Sequence, residues 1–232
     1  MKDIIGQALL DYQNGNYTDD IHSETNISEE DILPLPYLFR SFSEMPPLEQ
    51  LALNTATGKV LDVGCGSGSI SLHLQENGLE VTSIDTSGGA IEVCNLRGLK
   101  NAREIDILQL KNEKFDTILL LMNGTGIFQK IKEVSKYLLH LKSLLNSGGQ
   151  ILIDSSDINY MYEDEDGGVW YNANNAYYGE LDYFLSYKGE REISMKWLYL
   201  DFNTLLTACT SVGINCELIL EGEHFDYLAR LS

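Results

Sequence analysis

One stretch constrains this chain more than any other: "VLDVGCGSGS", residues 60–69, where an apolar run ends in three alternate glycines. Such a run reads as a strand. Gly64, Gly66 and Gly68 then let the main chain turn sharply and let a ligand lie against bare backbone. The next residues, "SISLHLQENG", read as a helix closed by Gly78. Its free N-terminal N–H groups point back at the same ligand. A dinucleotide pyrophosphate calls for G-x-G-x-x-G at such a turn. Here Ser69 stands where the third glycine belongs, and Gly68 falls one residue early. Asp62, two residues before the loop, is a poor neighbour for pyrophosphate and a good one for an ammonium group.

The rest of the chain repeats the strand–helix alternation. "LEVTSID", "AREID", "FDTILLLMN" and "QILIDSS" read as strands. "GGAIEVCNLRG" reads as a helix with Gly98 after it, and residues 128–146 as a long amphipathic helix ended by "NSGG". Strands separated by such helices imply right-handed crossovers and a parallel sheet covered on both faces. The end differs. After the helix "FNTLLTACTSVG" come the strands "INCELILEGE" and "FDYLARLS", with only a short link around His224. A link that short makes them antiparallel.

The expected fold class is therefore α/β: a Rossmann-like, mostly parallel sheet with helices on both faces, an N-terminal helical segment and an inserted β-hairpin. All four prolines (Pro34, Pro36, Pro46, Pro47) mark a break before "PLEQLALNTATG", itself a helix. Residues 1–57 are expected to form an N-terminal helical cap, with a helix over about residues 2–13 and a polar, acidic loop, "GNYTDDIHSETNISEED". Residues 58–232 form the main domain. Within it, about residues 156–200 break the pattern: "GELDYFLSY" alternates, "KGER" turns, and "EISMKWLYL" returns as the hairpin.

Composition narrows the partners. The net charge of −19 repels a polyphosphate backbone and argues against nucleic acid. An uncharged or cationic small molecule is easier to accommodate. No apolar run approaches the roughly 20 residues of a membrane span, and no signal peptide is evident, so a cytoplasmic, non-membrane protein is expected, as monomer or homodimer. Cys65, Cys94, Cys209 and Cys216 make no C-x-x-C pair, and reduced, partly buried thiols are expected. The "EDED" at 163–166 reads as a solvated loop with no ordered metal-ligand spacing. His73 and His140 sit on helices and read as structural or exposed.

S-adenosylmethionine fits the glycine turn: it has no phosphate, and it carries an ammonium, a carboxylate and a sulfonium. Asp62 suits the ammonium, and backbone amides around Gly64, Cys65, Gly66 and Gly68 suit the carboxylate. Asp85, ending the second strand beside Thr86, can accept from both ribose hydroxyls. Asp106, after the third strand, can accept from the adenine amino group, with Ile107 flanking the ring.

At this point the sequence resembles the class I S-adenosylmethionine-dependent methyltransferases, most of all the small-molecule, UbiE-like group (methyltransferase-11/25 type). The residues that carry the resemblance are D-V-G-C-G-S-G at 62–68, Asp85, Asp106, "FDTILLLMN" at 115–123 and "LNSGGQILIDSSD" at 145–157. They cover residues 59–157, with the closing strands at 213–231. The resemblance implies seven strands in the order 3-2-1-4-5-7-6 with strand 7 antiparallel. It also implies in-line methyl transfer without a metal.

In that family the residues after the fourth strand face the methyl group. Here they are "MNGTGIF", so Met122 and Asn123 are candidates to line it, with Asn123 as a group that orients the acceptor or simply forms the turn. The sequence lacks the Asn/Asp-Pro-Pro-aromatic motif of base and glutamine methyltransferases and the Pro-Cys nucleophile of cytosine C5 enzymes. The acceptor is then expected to be a small molecule methylated on O or N. Tyr37 and Arg40 are candidates to fold over the cofactor, Arg40 near its carboxylate. The aromatic hairpin, with Tyr160, Trp170, Tyr177 and Tyr178, reads equally as a lid or a dimer contact. Two other classes stay open: a Rossmann NAD(P) oxidoreductase, and a non-catalytic S-adenosylmethionine-binding protein.

Overall fold

Apolar side chains run unbroken through the strand that feeds the glycine loop: Val60, Leu61 and Val63 are all buried. That is the pattern of a strand covered on both faces. The computed structural model describes residues 3–164, 166, 168, 171, 177–191 and 194–232. In chain order α1 (Ile4–Gln13), β1 (Ile21–Thr25), β2 (Asp31–Leu33), α2 (Leu35–Leu38) and α3 (Pro47–Thr55) precede β3 (Lys59–Val63). There follow α4 (Ser69–Glu76), β4 (Glu80–Asp85), α5 (Gly88–Leu96), β5 (Ala102–Glu104), β6 (Phe115–Leu120), α6 (Val134–Ser143) and β7 (Leu145–Ser156). The chain closes with β8 (Glu180–Tyr187), β9 (Glu190–Arg191), β10 (Met195–Leu198), α7 (Phe202–Ser211), β11 (Cys216–Glu221) and β12 (Asp226–Leu231).

Seven strands form the main sheet in the order β5-β4-β3-β6-β7-β12-β11. All neighbours up to β7 pair in parallel, and β12 runs antiparallel to both β7 and β11. This is the expected order 3-2-1-4-5-7-6 with strand 7 reversed. One apolar layer joins the sheet to α6 and α7 through Phe115, Phe128, Leu138, Leu141 and Leu205. The other joins it to α3 and α4 through Leu48, Leu53, Leu74 and Leu119.

Three expectations need correction. The acidic stretch before the prolines is not a loop: β1 and β2 form an antiparallel hairpin within it. β1 then pairs with the expected inserted hairpin, His22 opposite Ser186 and Thr25 opposite Tyr183. The result is a second sheet, β10-β8-β1-β2 with β9 on β8. Its apolar face, Ile21, Leu185 and Tyr187, packs on α1 and α5. The helix expected at 128–146 is shorter. Gln129 has a φ of 66°, and short 3-10 turns occupy 124–128 and 131–133, so regular helix begins only at Val134. The "NSGG" after it belongs to β7, which starts at Leu145 with an irregular register against Phe115 and Thr117.

α1 lies unusually close to α5. Asp3 joins the two helix starts: Oδ1 accepts from the Gly6 amide at 2.9 Å, and Oδ2 from the Gly89 amide at 2.9 Å and the Ser87 hydroxyl at 2.8 Å. Among the described residues no helix is long and apolar enough to cross a membrane.

Candidate functional site

The loop residues expected to meet a ligand gather at the carboxyl edge of the parallel strands, where open α/β sheets bind their ligands. Gly66 has a φ of 50°, and a Cβ there would meet nothing within 4 Å, so its backbone borders open space. Gly68 is held differently. A Cβ there would sit 2.9 Å from Cys94 Sγ and 2.8 Å from Leu99 Cδ1, so only glycine lets the loop pack on α5. Just before Gly66, Cys65 is buried with its Sγ 3.7 Å from Cys94 Sγ. That contact, with burial, pushes the Cys65 thiol up, so it is inert packing.

Two carboxylates flank the loop. Asp85 accepts the Gly66 amide on one oxygen and the Ser87 amide on the other, both at 2.9 Å. Burial raises its pKa, against the pull of these backbone bonds. Thr86 beside it is exposed. Asp62 is 2% exposed and accepts from the Ser71 hydroxyl at 2.6 Å, which in turn accepts from Ser83 at 2.6 Å. Burial drives its carboxyl up to about 6, so it is poised to gain from a cation. After β5, Asp106 caps a 3-10 turn by accepting the Leu108 amide at 2.7 Å. Ile107 is buried, and its carbonyl accepts from His140 Nε2 at 2.7 Å. His140 is thus structural, as is His73, stacked on Phe42 at 4.2 Å.

The loop after β6 holds two successive non-glycine residues in the left-handed region, Met122 (φ 65°) and Asn123 (φ 58°). That conformation costs roughly 1–2 kcal/mol per residue. Three successive β7 residues hold it there. Asp154 accepts from the Met122 amide at 3.0 Å and the Gly124 amide at 2.8 Å. Ser155 bonds Thr125 at 2.6 Å, and Ser156 donates to Asn123 Oδ1 at 2.8 Å. Asp154 did not emerge as a site residue from the sequence. The available signal was an acid inside the apolar run "QILIDSS".

The N-terminal segment closes over the glycine loop. The Leu38 carbonyl accepts from the hydroxyls of Ser67 and Ser69. Arg97 reaches the Ser67 carbonyl at 2.8 Å while stacking on Phe39 at 4.9 Å. Arg40 is buried. It bonds both Glu49 oxygens at 2.5 Å and the Tyr37 carbonyl at 2.7 Å, and its guanidinium lies 4.1 Å from the Tyr37 ring centre. Its Nε is buried with no partner among the described residues.

The second sheet abuts the same loop. Trp197 of β10 fills the space a Gly126 side chain would need, and Thr125 donates to the Leu198 carbonyl at 2.9 Å. Tyr183 and Tyr199 share a hydroxyl–hydroxyl bond of 2.7 Å. Tyr160 stacks on Phe225 at 5.0 Å, and Tyr177 and Tyr178 are pinned by Asp201 and Asp157. Trp170 lies outside the described residues, as does Glu165 of the acidic run.

A family model described as a methyltransferase domain matches residues 54–190. The chain belongs to this methyltransferase-domain family. Among solved structures, an S-adenosylmethionine-dependent methyltransferase from Bacteroides fragilis, in complex with S-adenosyl-L-homocysteine, is 43% identical, with a TM-score of 0.93 over 100% of this chain and 94% of its own. An S-adenosylmethionine-dependent methyltransferase from Clostridium acetobutylicum shares the fold at 16% identity, with a TM-score of 0.56 over 78% of this chain and 86% of its own. A ubiquinone biosynthesis O-methyltransferase from Pasteurella multocida is 38% identical over 85 residues, 36% of this chain and 33% of its own length. The match thus spans about a third of that relative.

Proposed function

We propose that this S-adenosylmethionine-dependent methyltransferase methylates a small molecule on oxygen or nitrogen, held between the Met122–Gly126 loop and the second sheet. The observation that carries the reading is the open space at Gly66 beside Asp85: bare backbone and a fixed carboxylate stand together at the sheet edge. The residues present fit the donor. When bound, the donor supplies a methyl carbon already activated by its sulfonium. Asp85 and Asp106 take the ribose and adenine, and Asp62 takes the ammonium. The buried, unpaired Arg40 Nε suits the carboxylate. Cys65 and Gly66 line the loop, Thr86 borders the ribose, and Ile107 flanks the base. Positioning and exclusion of water supply most of the remaining catalysis.

The acceptor is uncharged or cationic. Tyr183, Tyr199 and Tyr160 present aromatic surface, cations bind well on aromatic faces, and the net charge is −19. A methylation screen across amines, phenols and carboxylates tests this, and turnover confined to anions overturns it. Stabilisation by NADH and none by S-adenosylhomocysteine in a thermal-shift titration would overturn the donor.

Two results are expected of the donor site. Asp85→Ala should weaken S-adenosylmethionine binding by about 1.5–3 kcal/mol, the worth of hydrogen bonds to a charged group, with the fold intact. Unchanged affinity by calorimetry removes Asp85 from the site. S-adenosylhomocysteine should bind less well as pH falls through about 6, where the free protein's Asp62 takes up its proton. Binding needs the carboxylate, so protonation competes with the ammonium and the loss approaches tenfold per pH unit below that point. Asp62→Asn should bind weakly and with little pH dependence over the same range.

A further inference from the structure

We infer that Asp154 is the positioning residue for the reacting end of the donor: it fixes the backbone that faces the methyl group and sets its buried carboxylate beneath the sulfonium. The inference rests on the donor reading above and deepens it. Asp154 lies near the end of β7, only 8% exposed, directly behind the loop after β6. Its two oxygens hold the Met122 and Gly124 amides on either side of Asn123. A Cβ at Gly124 would lie 2.6 Å from Leu120 Cβ, so the loop is also pressed onto β6 and has little freedom apart from these bonds. A carboxylate is a costly way to hold a turn away from water, because its charge stays poorly compensated.

Among the described residues, the groups that act on the Asp154 charge include no cation. Around Asp154 stand Glu49 of α3, whose negative charge opposes ionisation, and the phenols of Tyr37, Tyr199 and Tyr227, whose pKa values Asp154 helps to raise. Arg40 is committed to Glu49. Burial, with Glu49 adding to it, pushes the Asp154 carboxyl up to about 7 against the pull of the loop amides. The donor carries two positive groups, an ammonium and a sulfonium. The site holds two buried acids with raised pKa values, Asp62 near the glycine loop and Asp154 under the transfer loop. The ammonium pairs with the first, which leaves the sulfonium for the second.

The charge disappears on transfer. The C–S bond breaks as the acceptor lone pair bonds the methyl carbon, sulfur keeps the electron pair as a neutral thioether, and any acceptor proton leaves to solvent. Asp154 therefore favours the donor over its product and helps the product leave.

The test compares S-adenosylmethionine with S-adenosylhomocysteine by calorimetry, so it needs no acceptor. The ratio of the two affinities cancels Asp62, which both ligands engage. In the wild-type protein this ratio should fall at least threefold between pH 8 and pH 6, as Asp154 takes up its proton. In Asp154→Asn the ratio at pH 8 should drop at least fivefold and lose its pH dependence, beyond any loss that both ligands share because one loop amide is no longer held. A ratio that is flat from pH 8 to 6, or unchanged in the folded variant, overturns the assignment. If the variant does not fold, the wild-type pH series alone decides. Failure of the wild type to bind either ligand overturns the donor reading itself, and this inference with it.

Discussion

Arg40→Ala should cost the protein about 3–5 kcal/mol of stability, the loss found when one partner of a buried ion pair is removed. Arg40 and Glu49 are 6% and 4% exposed, and the guanidinium bonds both carboxylate oxygens at 2.5 Å. Truncation leaves Glu49 either charged without compensation or forced to take a proton. Glu49 lies in the first turn of α3, and its partner follows α2, so the pair ties the segment over the glycine loop to the helix beneath it. The Tyr37 ring adds stacking at 4.1 Å that the truncation also removes. Replacing both partners together, Arg40→Met with Glu49→Leu, should recover most of the loss. Well-packed apolar pairs often match buried ion pairs in stability. The double variant also separates structure from binding. If Arg40 Nε meets the donor carboxylate, urea denaturation recovers while affinity for S-adenosylhomocysteine does not. A loss below about 1 kcal/mol in Arg40→Ala would mean that water reaches Glu49 and that the pair counts as a surface one.

Much of the fold was legible because local signals and burial agree in the central sheet. Val60, Leu61, Ile118, Leu119, Ile151 and Ile153 come from continuous apolar runs, and all are buried on a sheet covered on both faces. Gly58, Gly78 and Gly98 close the elements before them. The short link at His224 fixed the reversed last strand. The second sheet was half legible. β8 alternates and was readable as a hairpin strand, whereas "IHSET" has a single fully buried side chain, Ile21, and no period of its own. β1 is a strand because β8, some 160 residues later, offers it an edge, and no local pattern carries that. At Gln129 the chain enters the left-handed region although nothing in the apolar spacing marks the interruption. In the candidate site, the groups read from the sequence lie at or just past the ends of strands: Asp62, the glycines, Asp85 and Asn123. Asp154 acts from the neighbouring strand on a loop 30 to 32 residues earlier, and spacing cannot show such a contact. Arg40 shows the converse: its type was noticed, but its partner Glu49 came only from packing.

Gly89→Ala sets two effects of opposite sign against each other, and their sizes decide the result. Gly89 lies in the first turn of α5. In a helix alanine is better than glycine by about 0.8–1.0 kcal/mol, so propensity alone makes the variant more stable. Packing says otherwise. The new Cβ would stand 2.6 Å from Gly6 Cα, 2.7 Å from its carbonyl carbon and 2.8 Å from its oxygen. These are backbone atoms of α1, and no rotamer change relieves them. α1 must withdraw as a body. Overpacking of this kind costs about 1–3 kcal/mol, and withdrawal also strains the Asp3 bonds that cap both helices, worth about 1 kcal/mol. The net expectation is a destabilisation of about 1–3 kcal/mol. It should also reach the site: the Ser87 hydroxyl bonded to Asp3 belongs to the residue whose amide holds Asp85, so donor affinity should fall as well. Urea denaturation reads the first effect and calorimetry with S-adenosylhomocysteine the second. A variant as stable as the wild type, or more so, would show that α1 does not sit on α5 through the contact of two glycines.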